Sequence, residues 1–163
     1  MDRKTKQRRY VRQGEFIRLA TKEDCGFIRR LSGKVFSIFG DYKEIILQWF
    51  VNPDVITVIY VKNGPPVGFA MLYLLSGEIL AIAVLPEYQR MGIGSALLNH
   101  IECLASKLGL RRLSLHTAKE NNAAHRFFRR AGFKVIGTQE NYYPKGQPAL
   151  IISKDVGLLS CTR

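Results

Sequence analysis

The sequence predicts an α/β fold: one domain with a mixed, mostly antiparallel sheet flanked by about four helices. Three observations predict it. Residues 55–84 hold three short apolar, partly β-branched runs separated by turn residues, the pattern of an antiparallel meander. From residue 93 onward, apolar stripes at helical spacing alternate with short strand-like runs, which implies crossover connections. A chain of 163 residues, 47% hydrophobic and 23% charged, is also large enough and apolar enough to bury a core without metals or cross-links.

The elements follow in order. Phe16 to Ala20 reads as a first strand, and Thr21-Lys22-Glu23-Asp24 as a helix start with Thr21 at the N-cap and acids in the first turn. Phe27, Ile28, Leu31, Val35 and Phe36 form the apolar face of that helix, and Gly40-Asp41 separates it from a second helix around Tyr42 to Phe50. Val55 to Val61 is a strand. Asn63-Gly64-Pro65-Pro66 turns it into Val67 to Leu75, and Ser76-Gly77 turns that into Glu78 to Val84. Ile93, Ala96, Leu97, Ile101, Leu104, Ala105 and Leu108 share one helical stripe that stops at Gly109. Arg112 to His116 is a strand. A further helix carries Ala124, Phe127, Phe128 and Ala131 and ends at Gly132, and the strands Phe133 to Thr138 and Leu150 to Ser153 close the domain. The boundaries are a basic tail over residues 1–14, the domain over 15–155 and a short tail over 156–163.

Lysine and arginine number 25 against 13 acids, a net charge of +12. Such a field favours anionic partners: nucleic acid, a ribosomal surface, anionic lipid or a polyphosphate cofactor. Part of it is local, with seven basic residues and two acids among residues 1–18. A solvated tail and a ribosome- or nucleic-acid-docking arm both fit that run. Three cysteines, Cys25, Cys103 and Cys161, without a CxxC pair argue against a disulfide framework or a zinc site and fit a reducing cytoplasm. No apolar run approaches bilayer length, so no membrane span is expected.

The segment with the most chemistry is strand, short loop, helix: Ile79–Val84, then residues 85–91, then Gly92 onward. A helix start offers unpaired N–H groups and the positive end of the helix dipole, both suited to phosphate. Gly92 and Gly94 remove side chains where backbone has to approach an anion, and Gln89 and Arg90 add a donor and a charge. The spacing excludes two other phosphate loops. No GxxxxGK[ST] occurs, and a GxGxxG fingerprint fails because its third glycine position is Leu97.

The stretch Val84-Leu85-Pro86-Glu87-Tyr88-Gln89-Arg90-Met91-Gly92-Ile93-Gly94 resembles motif A of the GNAT superfamily of N-acetyltransferases. A second block, Asn121, Ala124, Phe128, Gly132 and Phe133, is similar to that family's N-x-x-A-x-x-x-Y-x-x-x-G-F pattern except at Phe128. The resemblance covers roughly residues 16–154. The ending Asn141-Tyr142-Tyr143-Pro144 is similar to ribosomal-protein-alanine and other protein N-terminal acetyltransferases within it.

The resemblance implies acetyl-CoA as cosubstrate and a primary amine, foremost a protein N-terminus, as acceptor. By similarity, the backbone of Ile82, Ala83 and Val84 pairs with the pantetheine arm. The N–H groups of Arg90, Met91, Gly92, Ile93, Gly94 and Ser95 hold the pyrophosphate, and Asn121, Ala124 and Phe128 line the cofactor. The reaction needs a base for the ammonium proton, and two residues compete for that part. Glu78 lies fourteen residues before Gly92, where histone-acetylating members carry their base, and His116 lies five before Asn121, where some N-terminal acetyltransferases carry histidine. The two also fit a shared role, holding one water between adjacent strands. Phe128 replaces a tyrosine that protonates the leaving thiolate in many members, and Tyr143 or Tyr142 is the candidate to stand in. The commoner family role of that pair is lining the peptide entrance. Rival expectations are a weakly catalytic acyl-CoA-binding module and a ribosome- or nucleic-acid-associated protein led by the tail.

Overall fold

The computed structural model describes residues 14–157, so nearly all of both expected tails falls outside the described residues. Seven strands and four α-helices follow the order read from the sequence: β1 (Glu15–Leu19), α1 (Cys25–Val35), α2 (Tyr42–Val51), β2 (Val55–Lys62), β3 (Pro66–Tyr73), β4 (Glu78–Val84), α3 (Ile93–Lys107), β5 (Arg112–Ala118), α4 (Asn122–Arg130), β6 (Lys134–Gln139) and β7 (Ala149–Asp155). Thr21 leads into a 3₁₀ turn at Lys22–Asp24 rather than directly into α1. Asp24, buried, reaches back to the Thr21 N–H at 2.8 Å and is gripped by both terminal nitrogens of Arg18 at 2.7 and 2.8 Å.

The sheet order is β1-β2-β3-β4-β5-β7-β6, so β7 returns to lie between β5 and β6. Every neighbouring pair is antiparallel except β4 and β5. Both faces are covered, which explains why β2 and β3 read as nearly continuous apolar runs instead of alternating. Val58, Leu72, Leu97, Ile101 and Leu113 belong to the core on one face, beneath α3 and α4. Ile28, Leu31, Ile46, Ile59, Phe69 and Met71 belong to the core on the other, beneath α1 and α2. Each such side chain contributes about 1.5–3 kcal/mol relative to exposure.

The two antiparallel halves of the sheet meet at one point. β4 and β5 share the single pair Glu78↔Ser114, supported by the Ser114 N–H on the Gly77 carbonyl at 3.1 Å. Gly77 has φ +74, and a Cβ there would collide with the Arg112 carbonyl oxygen, so glycine permits this close joint. Beyond it the ladder stops. β4 pairs Met71 with Ala81 and Leu72 with Ile79, leaving Leu80 as an extra residue, and such a bulge bends and twists its strand. The strands therefore form a wedge that is joined at Glu78 and open toward Val84 and Ala118. Cys25 is a free thiol, whereas Cys103 on α3 is disulfide-bonded, so the odd count did not leave the chain free of a cross-link. Among the described residues, no helix is long and apolar enough to cross a membrane.

Candidate functional site

Inside the wedge, β4 has lost its partner, and alternation decides which of its groups are left over. The Leu85 N–H donates to the Val67 carbonyl at 2.9 Å, so in this antiparallel ladder Leu85, Ala83 and Ala81 direct their backbone groups at β3. Ile82 and Val84 direct theirs into the wedge. Of the three strand residues expected to pair with a pantetheine arm, Ile82 has both backbone groups free and Val84 its N–H, the Val84 carbonyl being taken by Gln89, whereas the groups of Ala83 face β3. The small size of Ala81 and Ala83 has its own cause, since both side chains are buried in the core under α1 and α2.

The wedge opens onto the loop before α3. Pro86–Tyr88 makes one 3₁₀ turn, and Arg90 and Gly92 then take positive φ of 64° and 82°. For Arg90 this is a strained conformation of order 1–2 kcal/mol. Gly92 is the N-cap of α3, and no side chain caps that helix. Its first intrahelical bond runs from the Ala96 N–H to the Gly92 carbonyl, so the N–H groups of Ile93, Gly94 and Ser95 lie at the uncapped end. The loop is exposed, while the Ile93 side chain is buried and anchors it. Gly94 tells most. Its φ is not positive, and a Cβ would meet only the Phe127 ring at 3.6 Å, an ordinary contact. Neither its backbone angle nor that contact requires glycine there. Gln89 serves the loop itself: its amide nitrogen donates to the Val84 carbonyl at 3.0 Å. The side chains of Arg90, Met91 and Ser95 are exposed.

At the joined end, Glu78 and His116 meet directly. A carboxylate oxygen of Glu78 lies 2.9 Å from Nδ1 of His116, with the two side chains 25% and 19% exposed. The other ring nitrogen, Nε2, lies 3.2 Å from the Gln139 carboxamide oxygen at the end of β6. The Tyr142 ring stacks on the imidazole at 4.2 Å and 5°. Burial, helped by the nearby Glu78 charge and by Tyr42, pushes the Tyr142 phenol up to about 12.

A cavity of about 130 Å³ occupies the wedge. Asn121, Ala124 and Phe128 line its α4 side. Asn121 caps α4 by accepting from the Ala124 N–H at 3.1 Å, and Phe128 packs edge-on against Phe127 and Phe133. Phe36, Phe39, Tyr42, Ile46, Trp49 and Tyr143 line the opposite side. Tyr143 is buried, stacked on Phe39 at 4.7 Å with Tyr42 at 6.0 Å, and burial raises its phenol well above the ordinary tyrosine range. A bond from the Gln147 amide to the Ile38 carbonyl, 3.1 Å, ties the β6–β7 loop to the α1–α2 connection.

The structure thus brings Glu78, His116, Tyr142, Tyr143, Asn121, Ala124 and Phe128 around one cavity. Sequence reading missed Phe39, Tyr42, Trp49 and Gln139. Tyr42, Ile46 and Trp49 stand at i, i+4 and i+7 on α2, a legible stripe whose target was not. Gln139 is a polar strand-end residue with no sequence signal.

The pattern of the Acetyltransferase (GNAT) family matches residues 18–133. N-alpha-acetyltransferase 50 of Danio rerio is 36% identical over 72 residues, 44% of this chain and 43% of that protein. The [ribosomal protein bS18]-alanine N-acetyltransferase of Escherichia coli K12 is 36% identical over 85 residues, 51% of this chain and 57% of that protein. The chain thus spans about half the length of these curated relatives. Among solved structures, the ribosomal-protein-S18-alanine N-acetyltransferase from Escherichia coli superposes with a TM-score of 0.77 at 24% identity, over 91% of this chain and 98% of that one. A GNAT family acetyltransferase from Elizabethkingia anophelis, solved with acetyl-CoA bound, gives 0.73 at 18% identity, over 87% and 98%. These two share the fold. With the family pattern covering more than half of its length, the chain belongs to the GNAT acetyltransferase family.

Proposed function

We propose that the protein transfers the acetyl group of acetyl-CoA to the α-amine of a protein N-terminus. The observation that carries this is the Glu78–His116 pair at the closed end of a wedge whose two sides differ. One side offers the backbone groups of Ile82, the Val84 N–H and the uncapped start of α3, which fit a pantetheine arm and a pyrophosphate. The other is an aromatic mouth.

His116 is the base and Glu78 holds it. A carboxylate accepting from Nδ1–H fixes the tautomer with the lone pair on Nε2. Nε2 takes one proton from the ammonium, and the freed amine forms a C–N bond with the thioester carbonyl. N–H groups on the free edge of β4 are the donors available to the oxyanion. Collapse breaks the C–S bond, the CoA sulfur leaves as thiolate, and the remaining amine proton goes to it or to solvent. Phe128 has no proton to give, and Tyr143, held protonated by burial, is a weak acid. A thiol titrating near 8.5, by analogy with cysteine, leaves without one.

Two features favour a peptide α-amine over a polyamine or lysine. Glu78 is the one acidic side chain among the residues lining the cavity, so a polycation meets a single carboxylate. A terminal α-amine titrates near 7.7–8.0 against about 10.4 for lysine, so freeing it costs a histidine base roughly 3.5 kcal/mol less. The basic tail has the charge to add contact with a ribosome or nucleic acid, and a cytoplasmic setting fits such acceptors.

The test is CoA release from acetyl-CoA with three acceptor sets: peptides with free N-termini, the same peptides N-terminally blocked but carrying lysine, and spermidine. Release confined to free N-termini is expected. Release with spermidine alone would overturn the acceptor class, and tight acetyl-CoA binding with no release from any set would favour a binding module.

A further inference from the structure

We propose that Gln139 is a positioning residue for the base: its carboxamide oxygen holds the Nε2 edge of His116 as Glu78 holds the Nδ1 edge. This rests on His116 being the base. The geometry is specific. Glu78 Oε1 lies 2.9 Å from Nδ1 and Gln139 Oε1 lies 3.2 Å from Nε2, so each ring nitrogen faces an oxygen acceptor. A neutral imidazole has one N–H and satisfies only one of them. An imidazolium has two and satisfies both. The pocket around His116 is therefore arranged for the state that exists just after the amine has given up its proton.

Each group facing the ring acts in the same direction. Glu78, from β4, supplies a negative charge, and Gln139, from β6, supplies a carbonyl dipole. Tyr142, from the β6–β7 loop, lays its ring face against the imidazole, and a cation over an aromatic face is attracted to it. While His116 is neutral, the carboxamide turns its NH₂ toward the Nε2 lone pair or swings clear to admit the amine. A glutamine suits this because it offers a donor and an acceptor on one rotatable group. Gln139 is exposed on the edge strand, so replacing it costs little stability, within about 0.5 kcal/mol.

The experiment compares Gln139→Leu and Gln139→Glu with the parent by the pH profile of kcat/KM on a free N-terminal peptide. Leucine removes the second acceptor, so the acid limb moves to lower pH and kcat at pH 7 falls roughly tenfold, while KM for acetyl-CoA stays unchanged. Glutamate adds a charge, so the acid limb moves to higher pH. In a His116→Ala background, Gln139→Leu has no further effect, because Gln139 acts through the ring. Superimposable profiles for all three proteins, or equal losses with and without His116, overturn the proposal. If His116→Ala itself leaves the rate and the acid limb intact, the base assignment fails instead.

Discussion

On the α3 side of the wedge, the polar groups left without a partner belong to the backbone: the edge of β4 at Ile82 and the Val84 N–H, and the N–H groups of Ile93, Gly94 and Ser95. On the α2 side the groups lining the cavity are side chains, drawn from two stretches far apart in sequence: Phe36 to Trp49, and Tyr142 with Tyr143. A backbone grip depends on local conformation and on side chains that are absent, so it tolerates little change in spacing. A side-chain mouth depends on how distant segments pack, and its residues can change without altering the fold. The first arrangement suits a cosubstrate of fixed shape, and the second suits an acceptor that differs among relatives.

The largest expected effect separates the chemistry from both sides. His116→Ala should lower kcat/KM for a free N-terminal peptide by roughly 10²–10⁴-fold. Its acetyl-CoA affinity by titration calorimetry should stay within twofold of the parent, because His116 lies at the joined end of the wedge, away from the Gln89–Gly94 loop. Equal losses in rate and cosubstrate affinity would erase the distinction between the two sides.

A smaller effect tests the backbone grip alone. Gly94→Ala places a methyl in helical backbone where the fold has room, 3.6 Å from the Phe127 ring. Removing a helix glycine stabilises by about 0.5–1 kcal/mol, so the thermal midpoint should hold or rise. Acetyl-CoA affinity should fall about tenfold, roughly 1.4 kcal/mol, if that face approaches the pyrophosphate. Gain of stability with loss of binding distinguishes a ligand-imposed glycine from a structural one. Unchanged affinity would return Gly94 to the structural class.

The same division explains what was legible in the sequence. The order of strands and helices was, because turn residues and apolar periodicity are local. The Gln89–Gly94 loop was, because its glycine spacing is local too. The split between β4 and β5 was not: it comes from one extra residue, Leu80, against the partner register of β3, and register is a property of two strands. Glu78 and His116 were each legible as candidates for one role. Both the rival and the shared reading were open until the joint at Glu78↔Ser114, which sets the two side chains 2.9 Å apart, gave the contact between them. Ala83 shows the reverse failure, since a strand position read as cofactor-facing turns out to point its backbone at β3.

The smallest effect belongs to the mouth and appears only in alkali. Burial raises the Tyr142 phenol to about 12, with Glu78 and Tyr42 adding to it, and burial raises Tyr143 as well. An unfolded tyrosine releases its proton near pH 10, so above that pH the unfolded chain holds fewer protons than the folded one, and stability falls as pH rises. The contribution is therefore complete below pH 10 and is lost for Tyr142 between about pH 10 and pH 12. Thermal midpoints should be level from pH 8 to 9.5 and decline beyond pH 10. In Tyr142→Phe the decline should be shallower, since one of the mouth's three tyrosines whose phenol is raised by burial (Tyr42, Tyr142 and Tyr143) is gone while its stacking on His116 is kept. A decline of the same steepness in the variant would mean that the Tyr142 hydroxyl is in water rather than in the mouth. The start of α3 adds nothing to this limb, because backbone amides do not titrate there, so Gly94→Ala should decline in parallel with the parent, at the same or a slightly higher midpoint at every pH.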